Sequence, residues 1–485
     1  MLLLTGMLFA PPLLQEPEHA SPDLRFELGK RVRQMEVAFE RAKAKPELRR
    51  EALPHIEKAV SSFFSIDFPG AARALDEARG VLANWEQSEY DCLAVTPNAW
   101  ILEPGESYRL TTSQIYPAEL PAPLVIRVAK TEESFEVEAL PFTYDYGPIA
   151  LPEGPYGTRR ESYGFSYGER TPILSANPEV IPDARARARA VQEKRKERDA
   201  ELAPWVRTTT RYHLEMLSEM MRGSLLETRL PGELLLTRSE TLLEADQEEL
   251  QMRGMMALWL SNRDDRKVRT RSGAMPGQDW IALPRGGGRD QVRLLIPGVL
   301  ESKRPPLVIA LHGAGGSENM FFDGHGNGKA VQLASAQGWY FAAPEVGRGF
   351  DLAALTQDLV HLLDADPDRI FIMGYSMGAA MAISSVEALE AAGLDVAGMI
   401  LMGGGRPVSG DSQLEALKRL PLLAQAGERD FARPGVEALI EQLQEAKHLT
   451  LTHRIVPDTE HLTVVQVGLD QAFEWMQWLL EQRAK

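Results

Sequence analysis

The chain has 485 residues, of which 44% are apolar and 25% are charged, a balance typical of soluble globular proteins with more than one domain. The formal net charge of -16 argues against nucleic acid or an anionic membrane surface as a general partner. Cys92 is the only cysteine, which excludes an intrachain disulfide and a multi-cysteine metal site.

An apolar stretch opens the chain, from Met1 to Ala10, and Pro11 and Pro12 come directly after it. It is much shorter than the roughly 20 residues that span a bilayer, so it predicts no integral membrane segment. Its length suits the apolar core of a signal peptide, although a basic segment and a small-residue cleavage site are missing. We therefore interpret residues 1–20 as a signal peptide or a disordered terminus, and we expect a secreted or periplasmic protein rather than a cytoplasmic one.

Two helical segments and a β-rich segment are predicted in the first half of the chain. Residues 21–90 carry apolar side chains at helical spacing, as in Leu28, Val32 and Met35. Residues 91–170 contain short β-branched and aromatic runs separated by Pro and Gly, which predict a small antiparallel β module. Within it, the Gly-, Pro- and Tyr-rich residues 144–167 predict a loop.

Helical periodicity resumes over residues 180–265, and its last helix is predicted to run from Pro231 to Leu258. A charged, Gly-containing stretch, residues 263–277, is a plausible linker to the C-terminal part of the chain. Residues 21–270 contain no recognisable chemical motif. Their expected role is that of a scaffold, a lid or a targeting module.

From residue 278 to residue 485, continuous apolar runs alternate with helical segments. The first two runs flank Arg285-Gly-Gly-Gly288, a hairpin signal, and the later runs cover residues 307–311, 339–343, 370–373, 396–401, 422–424 and 449–452. Continuous apolar strands that alternate with helices are typical of a parallel sheet covered on both faces. We therefore predict a doubly wound, mostly parallel α/β domain, preceded by a mixed helical and small antiparallel β region.

A G-x-S-x-G motif, Gly374 to Gly378, lies between the apolar run 369–373 and the small-residue helix that begins at Ala379. A serine nucleophile on a sharp strand-to-helix turn needs this context, because only glycine leaves room for the close approach of strand and helix. Ser376 is the predicted nucleophile. A tight turn with an incidental serine is the alternative.

A glycine-rich loop comes after an earlier apolar run, from His312 to Ser317. Backbone N–H groups in such a loop can stabilise the negative oxygen of a tetrahedral intermediate. We expect the amides of Ala314 and Met377 to form this oxyanion hole, and the Gly315 amide is the alternative donor. A phosphate-binding loop is disfavoured because the G-x-x-x-x-G-K-[ST] pattern is absent. His312 is expected to brace the loop.

His461 is the predicted general base, because it comes after the last apolar run and opens the last predicted helix. In hydrolases of this architecture the base comes last in the chain, after the nucleophile and the acid. His325 and His361 precede the serine and do not fit this order. His448 and His453 lie next to or in a strand and are interpreted as packing or surface residues.

Asp430 is the predicted acid, since it comes after an apolar run and should emerge at the carboxyl edge of the sheet. A carboxylate there can accept the Nδ1–H of the histidine and fix its tautomer. Glu428 is the nearest rival, whereas Asp458 lies too close to His461 in sequence to reach around it easily. An ordinary loop residue paired to Arg433 is the other interpretation of Asp430.

With these motifs, residues 279–478 resemble the α/β-hydrolase superfamily. The resemblance is greatest to the small-lid branch that includes carboxylesterase/phospholipase-like proteins, polyhydroxybutyrate depolymerase-like esterases, dienelactone hydrolase-like proteins and predicted peptidases. It implies Ser376 as nucleophile, Asp430 as acid, His461 as base, and neither a metal nor an organic cofactor.

The chain departs from the family pattern in its oxyanion stretch, His-Gly-Ala-Gly-Gly, and in the Glu-His-Leu context of the base. Few residues separate Gly405 from Pro421, where many relatives insert a cap domain, so the pocket is either open or roofed by the N-terminal half. We expect a serine esterase that acts on a small-molecule or polymer-borne ester. A serine peptidase of related fold and a non-catalytic binding protein on the same scaffold are the alternatives.

Overall fold

The structure, a computed structural model, describes residues 24–85, 88–151, 162–168, 170–223, 231–255 and 277–483. The predicted signal peptide or disordered terminus lies outside the described residues, as does the end of the helix predicted to reach Leu258. Within the described ranges, no helix combines the length and apolar character that crossing a membrane requires.

A bundle of three helices opens the described chain. The helices are α1 (Leu24–Arg41), α2 (Pro46–Phe64) and α3 (Phe68–Ala83), and short 3-10 segments cover Ala42–Ala44 and Glu89–Cys92. The apolar side chains at helical spacing, among them Leu28 and Met35, are buried in the bundle. Asp67 begins α3 by accepting a hydrogen bond from the Gly70 amide at 2.9 Å, as an N-cap residue does.

The β-rich segment folds into small sheets. Its strands are β1 (Leu93–Pro97), β2 (Ile101–Leu102), β3 (Ser107–Gln114), β4 (Leu124–Val128), β5 (Ser134–Val137), β6 (Phe142–Pro148), β7 (Tyr163–Tyr167), β8 (Arg170–Ala176) and β9 (Glu179–Val180). The described strands form sheets in the orders β1-β3-β6, β5-β4-β7-β8 and β2-β9. Antiparallel pairing dominates, with the short β2-β9 pair parallel.

The loop predicted over residues 144–167 is wrong at both of its ends, because β6 and β7 occupy them. Aromatic side chains favour a pleated, half-buried surface, and here they pack on one another. The ring of Tyr146 lies 4.8 Å from that of Tyr144 and 4.9 Å from that of Tyr163, measured between centroids. The Gly and Pro residues among these tyrosines led to the prediction of a loop instead of two strands.

Among the described residues, the next helices are α4 (Ala184–Glu197), α5 (Pro204–Met221), α6 (Gly232–Glu244) and α7 (Gln247–Arg253). The single helix predicted from Pro231 is wrong, because it is interrupted after Glu244. Asp246 restarts the helix as an N-cap, accepting hydrogen bonds from the amides of Glu248 and Glu249 at 2.9 and 3.1 Å. A short polar side chain that accepts hydrogen bonds from backbone amides favours the start of a new helix over the continuation of the previous one.

The C-terminal part contains an eight-stranded sheet of order β10-β11-β13-β12-β14-β15-β16-β17. Its strands are β10 (Gln278–Arg285), β11 (Gly288–Leu295), β12 (Leu307–Leu311), β13 (Tyr340–Pro344), β14 (Ile370–Tyr375), β15 (Val396–Met402), β16 (Leu422–Gly427) and β17 (Leu451–Val456). Its helices are α8 (Met320–Asp323), α9 (His325–Gln337), α10 (Leu352–Leu363), α11 (Met377–Ser384), α12 (Val386–Ala391), α13 (Asp411–Arg419), α14 (Arg433–Glu445) and α15 (Val464–Arg483).

Strands β10 and β11 form the predicted hairpin, and β12 to β17 pair in parallel. Along β12, Leu307, Ile309 and Leu311 face one hydrophobic core, whereas Val308 and Ala310 face another. A strand buried on both faces has no polar alternation, which explains the continuous apolar runs. The predicted doubly wound, mostly parallel α/β domain is thus confirmed, as is the mixed helical and antiparallel β region before it.

Helix α5 covers the outer edge of this sheet. The hydroxyl of Thr209 accepts from the Ala282 amide at 3.0 Å and contacts the Ala282 carbonyl oxygen at 3.1 Å. A ring nitrogen of His213 lies 2.7 Å from the carbonyl oxygen of Trp280. Backbone groups of the edge strand β10 are thereby bonded to side chains of the N-terminal half, which is one way in which proteins protect a sheet edge.

Candidate active site

Three side chains from separate loops meet at the carboxyl edge of the large sheet. Ser376 comes after β14, Asp430 after β16, and His461 after β17. The Ser376 Oγ lies 2.9 Å from the Nε2 of His461, and the Nδ1 of His461 lies 2.9 Å from the Oδ1 of Asp430. The acid and the histidine are each only 4% exposed. The order and spacing are those of a nucleophile, a base and an acid in one hydrogen-bonded chain.

Ser376 has φ 53° and ψ -113°, a conformation that non-glycine residues rarely adopt. The two motif glycines make this turn sterically feasible. A β-carbon on Gly374 would lie 2.6 Å from the Ala379 Cα, and one on Gly378 would lie 2.2 Å from the Leu311 carbonyl oxygen. The motif therefore forms the sharp strand-to-helix turn that its sequence indicates, with Ser376 before the first residue of α11.

The glycine-rich loop after β12 approaches this turn closely. A β-carbon on Gly313 would lie 3.2 Å from the Cβ of Ser376. Met377 is the first residue of α11, and the amide of such a residue has no acceptor within its own helix. The amide of Ala314 likewise has no hydrogen-bond acceptor among the described residues. Both amides are thus available for an oxyanion beside the serine.

His312 holds the loop in place. Its Nδ1 donates to the Gly313 carbonyl oxygen at 2.8 Å, and its Nε2 accepts from the Val346 amide at 2.9 Å. These two contacts fix the orientation of the imidazole. These contacts agree with the predicted bracing role.

The carboxylates that rivalled Asp430 have other partners. Glu428 accepts from the Asp458 amide at 3.1 Å, and the Asp458 side chain pairs with Arg50 at 3.1 Å. The Arg433 guanidinium pairs with Glu437 at 2.8 Å rather than with Asp430. The Oδ1 of Asp430 also accepts from the Ala432 amide at 2.8 Å, which orients the carboxylate.

The turn that carries His461 has supports that the sequence interpretation missed. Glu460 accepts hydrogen bonds from the amides of Leu462 and Thr463, both at 2.9 Å. The hydroxyl of Tyr375 donates to the His461 carbonyl oxygen at 3.1 Å. Burial raises the pKa of the Glu460 carboxyl to about 7. The prediction that His461 opens the last helix is wrong, because α15 begins at Val464 and this turn precedes it.

The signal for that turn was available in the sequence. The Thr463 hydroxyl oxygen accepts a hydrogen bond from the Glu460 amide at 3.3 Å, so the two residues bond reciprocally across three positions. This is the arrangement of a capping box with the acidic and hydroxyl residues exchanged. The order Glu460-His-Leu-Thr463 could therefore have indicated a cap around the base.

A second buried carboxyl approaches the site from helix α1. The Oε2 of Glu36 accepts from the Gly326 amide at 3.4 Å, and its Oε1 lies 3.7 Å from the Nδ1 of His325. The ring of His325 in turn lies 5.0 Å from that of Tyr375, the residue before the serine. Burial raises the pKa of Glu36 to about 8 and lowers that of His325 to about 3. The spacing of Glu36 from Val32 and Phe39 places it on the apolar stripe of α1, a signal of a buried acid that the sequence interpretation missed.

A stability that depends on pH is expected from Glu36. Its carboxyl has a pKa of about 8 in the folded chain against an ordinary value of 4.5, so the folded state binds the proton more tightly. The resulting stabilisation is complete below pH 4.5 and is lost as the pH rises to about 8, with a limiting slope of about 1.4 kcal/mol per pH unit. Urea unfolding of the wild type and of Glu36→Gln at pH 5 to about 8 measures the difference in slope.

The matched control is Glu40→Gln, which changes an acid of the same helix that is not buried and should leave the wild-type slope intact. Glu460 titrates in the same direction in both proteins, and its charge contributes to the raised pKa of Glu36, so the difference in slope reports Glu36 together with that coupling. A free energy difference between wild type and Glu36→Gln that stays constant across this pH range would contradict the expected effect.

The end of helix α2 lies at the rim of the site. The ring of Phe431, beside the acid, lies 4.3 Å from that of His461, and the ring of Phe64 lies 5.5 Å from that of Phe431. A β-carbon on Gly315 would lie 2.5 Å from the Phe63 ring. Of the two alternatives left by the sequence, an open pocket or one roofed by the N-terminal half, this placement favours the second.

In the described part of the chain, no group of three or more His, Cys, Asp or Glu side chains is placed to hold a metal ion. The polar groups that the fold brings together at this edge of the sheet are the serine, the histidine, the aspartate and the nearby amides.

Residues 308–484 match the sequence model of the alpha/beta hydrolase family. Among solved structures, the chain is similar to a thermostable esterase, at 21% identity over 42% of this chain and 62% of that one, with a TM-score of 0.35. It is similar to a ferulic acid esterase at 12% identity, over 42% and 98% of the two chains, with a TM-score of 0.35. An S-formylglutathione hydrolase from Agrobacterium tumefaciens is 14% identical over 41% and 95% of the two chains, with a TM-score of 0.33.

The matched region spans less than two thirds of the thermostable esterase. No curated protein matches the chain.

Proposed function

Because the C-terminal domain has the α/β-hydrolase fold, we propose that the protein is a serine hydrolase that cleaves carboxylic esters through an acyl-enzyme. The observation that carries the proposal is the unbroken hydrogen-bonded chain from Ser376 through His461 to Asp430, with 2.9 Å at each step. The family match supports the broader assignment as a hydrolase.

In the first half-reaction, the Nε2 of His461 takes the proton of Ser376 as its Oγ attacks the ester carbonyl carbon. The carbonyl oxygen becomes negative and accepts hydrogen bonds from the amides of Ala314 and Met377. When the tetrahedral intermediate collapses, the carbon–oxygen bond to the alcohol breaks and the imidazolium returns its proton to the leaving alkoxide. Water then repeats the sequence on the acyl-enzyme and releases the carboxylic acid.

Asp430 supports both half-reactions without exchanging a proton. Its carboxylate accepts the Nδ1–H of His461, which leaves Nε2 free to accept the serine proton. The carboxylate also stabilises the imidazolium that forms in each half-reaction. The Ala432 amide and the low exposure of the acid hold it in this orientation.

The proposal is tested with p-nitrophenyl acetate, butyrate and octanoate beside a peptide p-nitroanilide, and with a fluorophosphonate probe followed by peptide mass spectrometry. We expect at least one of the p-nitrophenyl esters to be hydrolysed with a higher kcat/KM than the anilide, and the probe to modify Ser376. A preference for the anilide would favour the peptidase alternative. Inertness to all substrates together with an unlabelled Ser376 would favour a binding protein on the hydrolase scaffold.

A further inference from the structure

Two phenylalanine rings stand beside the imidazole of the site, and one of them comes from the N-terminal half of the chain. Phe64 is the last residue of α2, and its ring centroid lies 6.4 Å from that of His461. Phe431 comes directly after the acid and packs on both rings. Phe64 is 51% exposed and Phe431 is 60% exposed, so neither side chain is part of a core. Two adjoining exposed aromatic rings at the edge of a site form an apolar surface that a ligand can cover.

The mechanism determines which part of an ester would meet this surface. His461 returns the proton to the leaving alcohol, so the alcohol oxygen must lie within hydrogen-bond reach of its Nε2. The oxyanion amides lie on the glycine-rich loop and at the start of α11, where Phe63, not Phe64, approaches Gly315. The Phe64 and Phe431 rings contact the imidazole itself, and so they flank the alcohol rather than the carbonyl oxygen.

Helix α2 is held against the loops that carry the acid and the base. Glu57 pairs with Arg429, the residue before the acid, at 2.6 and 2.9 Å. Arg50 pairs with Asp458, in the turn that leads to the base, at 3.1 Å. These ion pairs are partly exposed, so each contributes little to stability. Together they fix the position of the α2 end relative to the imidazole.

The hydrolase domain itself supplies little cover at this edge. Between Gly405 and Pro421, where a cap could be inserted, the chain forms only the short helix α13. The N-terminal bundle supplies Phe64 at the rim instead.

We propose that Phe64 and Phe431 form an apolar subsite for the alcohol group of the ester, so that esters of aromatic alcohols are preferred. The inference rests on the proposed function, because the mechanism places the alcohol beside His461. Edge-to-face contacts between aromatic rings provide the recognition, and the rings of Phe64 and Phe431 already adopt such a contact, with an interplanar angle of 75°.

The test compares benzyl acetate with ethyl acetate, which share the acyl group and have alcohols of similar acidity. Wild type is expected to have the higher kcat/KM for the benzyl ester. The ratio of the two kcat/KM values is expected to fall about 3- to 10-fold in Phe64→Ala and in Phe431→Ala, because each loses one aromatic contact. Phe64→Leu should give an intermediate ratio. Trp478→Ala, which removes a 45% exposed aromatic side chain of α15, is the matched control and should keep the wild-type ratio.

A second measurement does not depend on turnover. The alcohol 2-naphthylmethanol is titrated, by its fluorescence, into Ser376→Ala protein with and without Phe64→Ala. Binding should weaken in the double variant by the same factor of about 3 to 10, the loss of one aromatic contact.

The two measurements separate the failure of the subsite from the failure of the enzyme. If wild type hydrolyses neither these acetates nor any of the p-nitrophenyl esters, but the naphthyl alcohol binds in a Phe64-dependent way, the proposed function fails and the aromatic binding site stands. If both acetates are hydrolysed and the ratio of their kcat/KM values is the same in wild type, Phe64→Ala and Phe431→Ala, the subsite is wrong but the proposed hydrolase function is retained. An equal loss on both esters in Phe431→Ala would also overturn the subsite, because it would assign the ring to support of the imidazole.

Discussion

Replacement of Ser376 by alanine is expected to lower kcat for p-nitrophenyl butyrate by about four to six orders of magnitude. The Oγ is the atom that forms the acyl-enzyme, and it is hydrogen-bonded to the Nε2 of His461. The change removes one hydrogen bond at the surface of the site, and alanine meets the same backbone strain as serine at φ 53°. The melting temperature should therefore stay close to that of the wild type while turnover is lost.

Ser384→Ala is the matched control for this change. The Ser384 hydroxyl lies on the helix that begins after the nucleophile and donates to the Met381 carbonyl oxygen at 2.9 Å. Its removal should leave kcat within about twofold of the wild-type value, as is usual for a surface substitution. If Ser376→Ala kept even a tenth of the wild-type kcat, the nucleophile would have to be another residue.

The second large effect is expected from Asp430→Asn, which should lower kcat at neutral pH by about 10⁴-fold. Asparagine has the same shape but no charge, so it no longer stabilises the imidazolium that forms in each half-reaction. Its amide nitrogen can face the Nδ1 of His461 only by giving up the hydrogen bond that Oδ1 accepts from the Ala432 amide. In that orientation the imidazole adopts the tautomer with the proton on Nε2, which cannot accept the proton of Ser376. The measurement is the pH profile of kcat for p-nitrophenyl butyrate, in which kcat of the variant should be far below that of the wild type at neutral pH. The fold of the variant should be retained.

The rival carboxylates provide the controls for the acid. Glu428→Gln and Asp458→Asn alter residues that bond to the backbone of the neighbouring turn and to Arg50, respectively. Each should change kcat far less than Asp430→Asn does. A loss in Glu428→Gln as large as that in Asp430→Asn would transfer the role of the acid to Glu428.

The positions of the three proposed catalytic residues could be predicted because each depends on local sequence. Gly374 and Gly378 indicate a tight strand-to-helix turn, and the apolar runs before Asp430 and His461 indicate strand ends. Parallel strands place their carboxyl ends at one edge, so the residues beyond those ends are brought together by the fold. The hydrogen-bonded chain from Ser376 through His461 to Asp430 follows from the tight turn and from the common edge of the strand ends.

Contacts between distant segments could not be predicted in the same way. Phe64 lies at the end of an ordinary amphipathic helix, and nothing near it in the sequence refers to His461. Glu36 lies four residues after Val32 and three before Phe39, on the apolar stripe of its helix, so its burial could be predicted from the spacing, but its contacts with Gly326 and His325 could not. The start of α15 could have been placed better, because Glu460 and Thr463 carried a readable cap signal.

The bonds from Thr209 and His213 to strand β10 bear on any attempt to produce the hydrolase domain alone. A protein trimmed to begin near residue 277 would leave the carbonyl oxygen of Trp280 and both the amide and the carbonyl oxygen of Ala282 without these partners on an open strand. Such a strand is a template for pairing with a second molecule. We therefore expect the first half of the chain to protect this edge, and the C-terminal half to self-associate when it is produced alone.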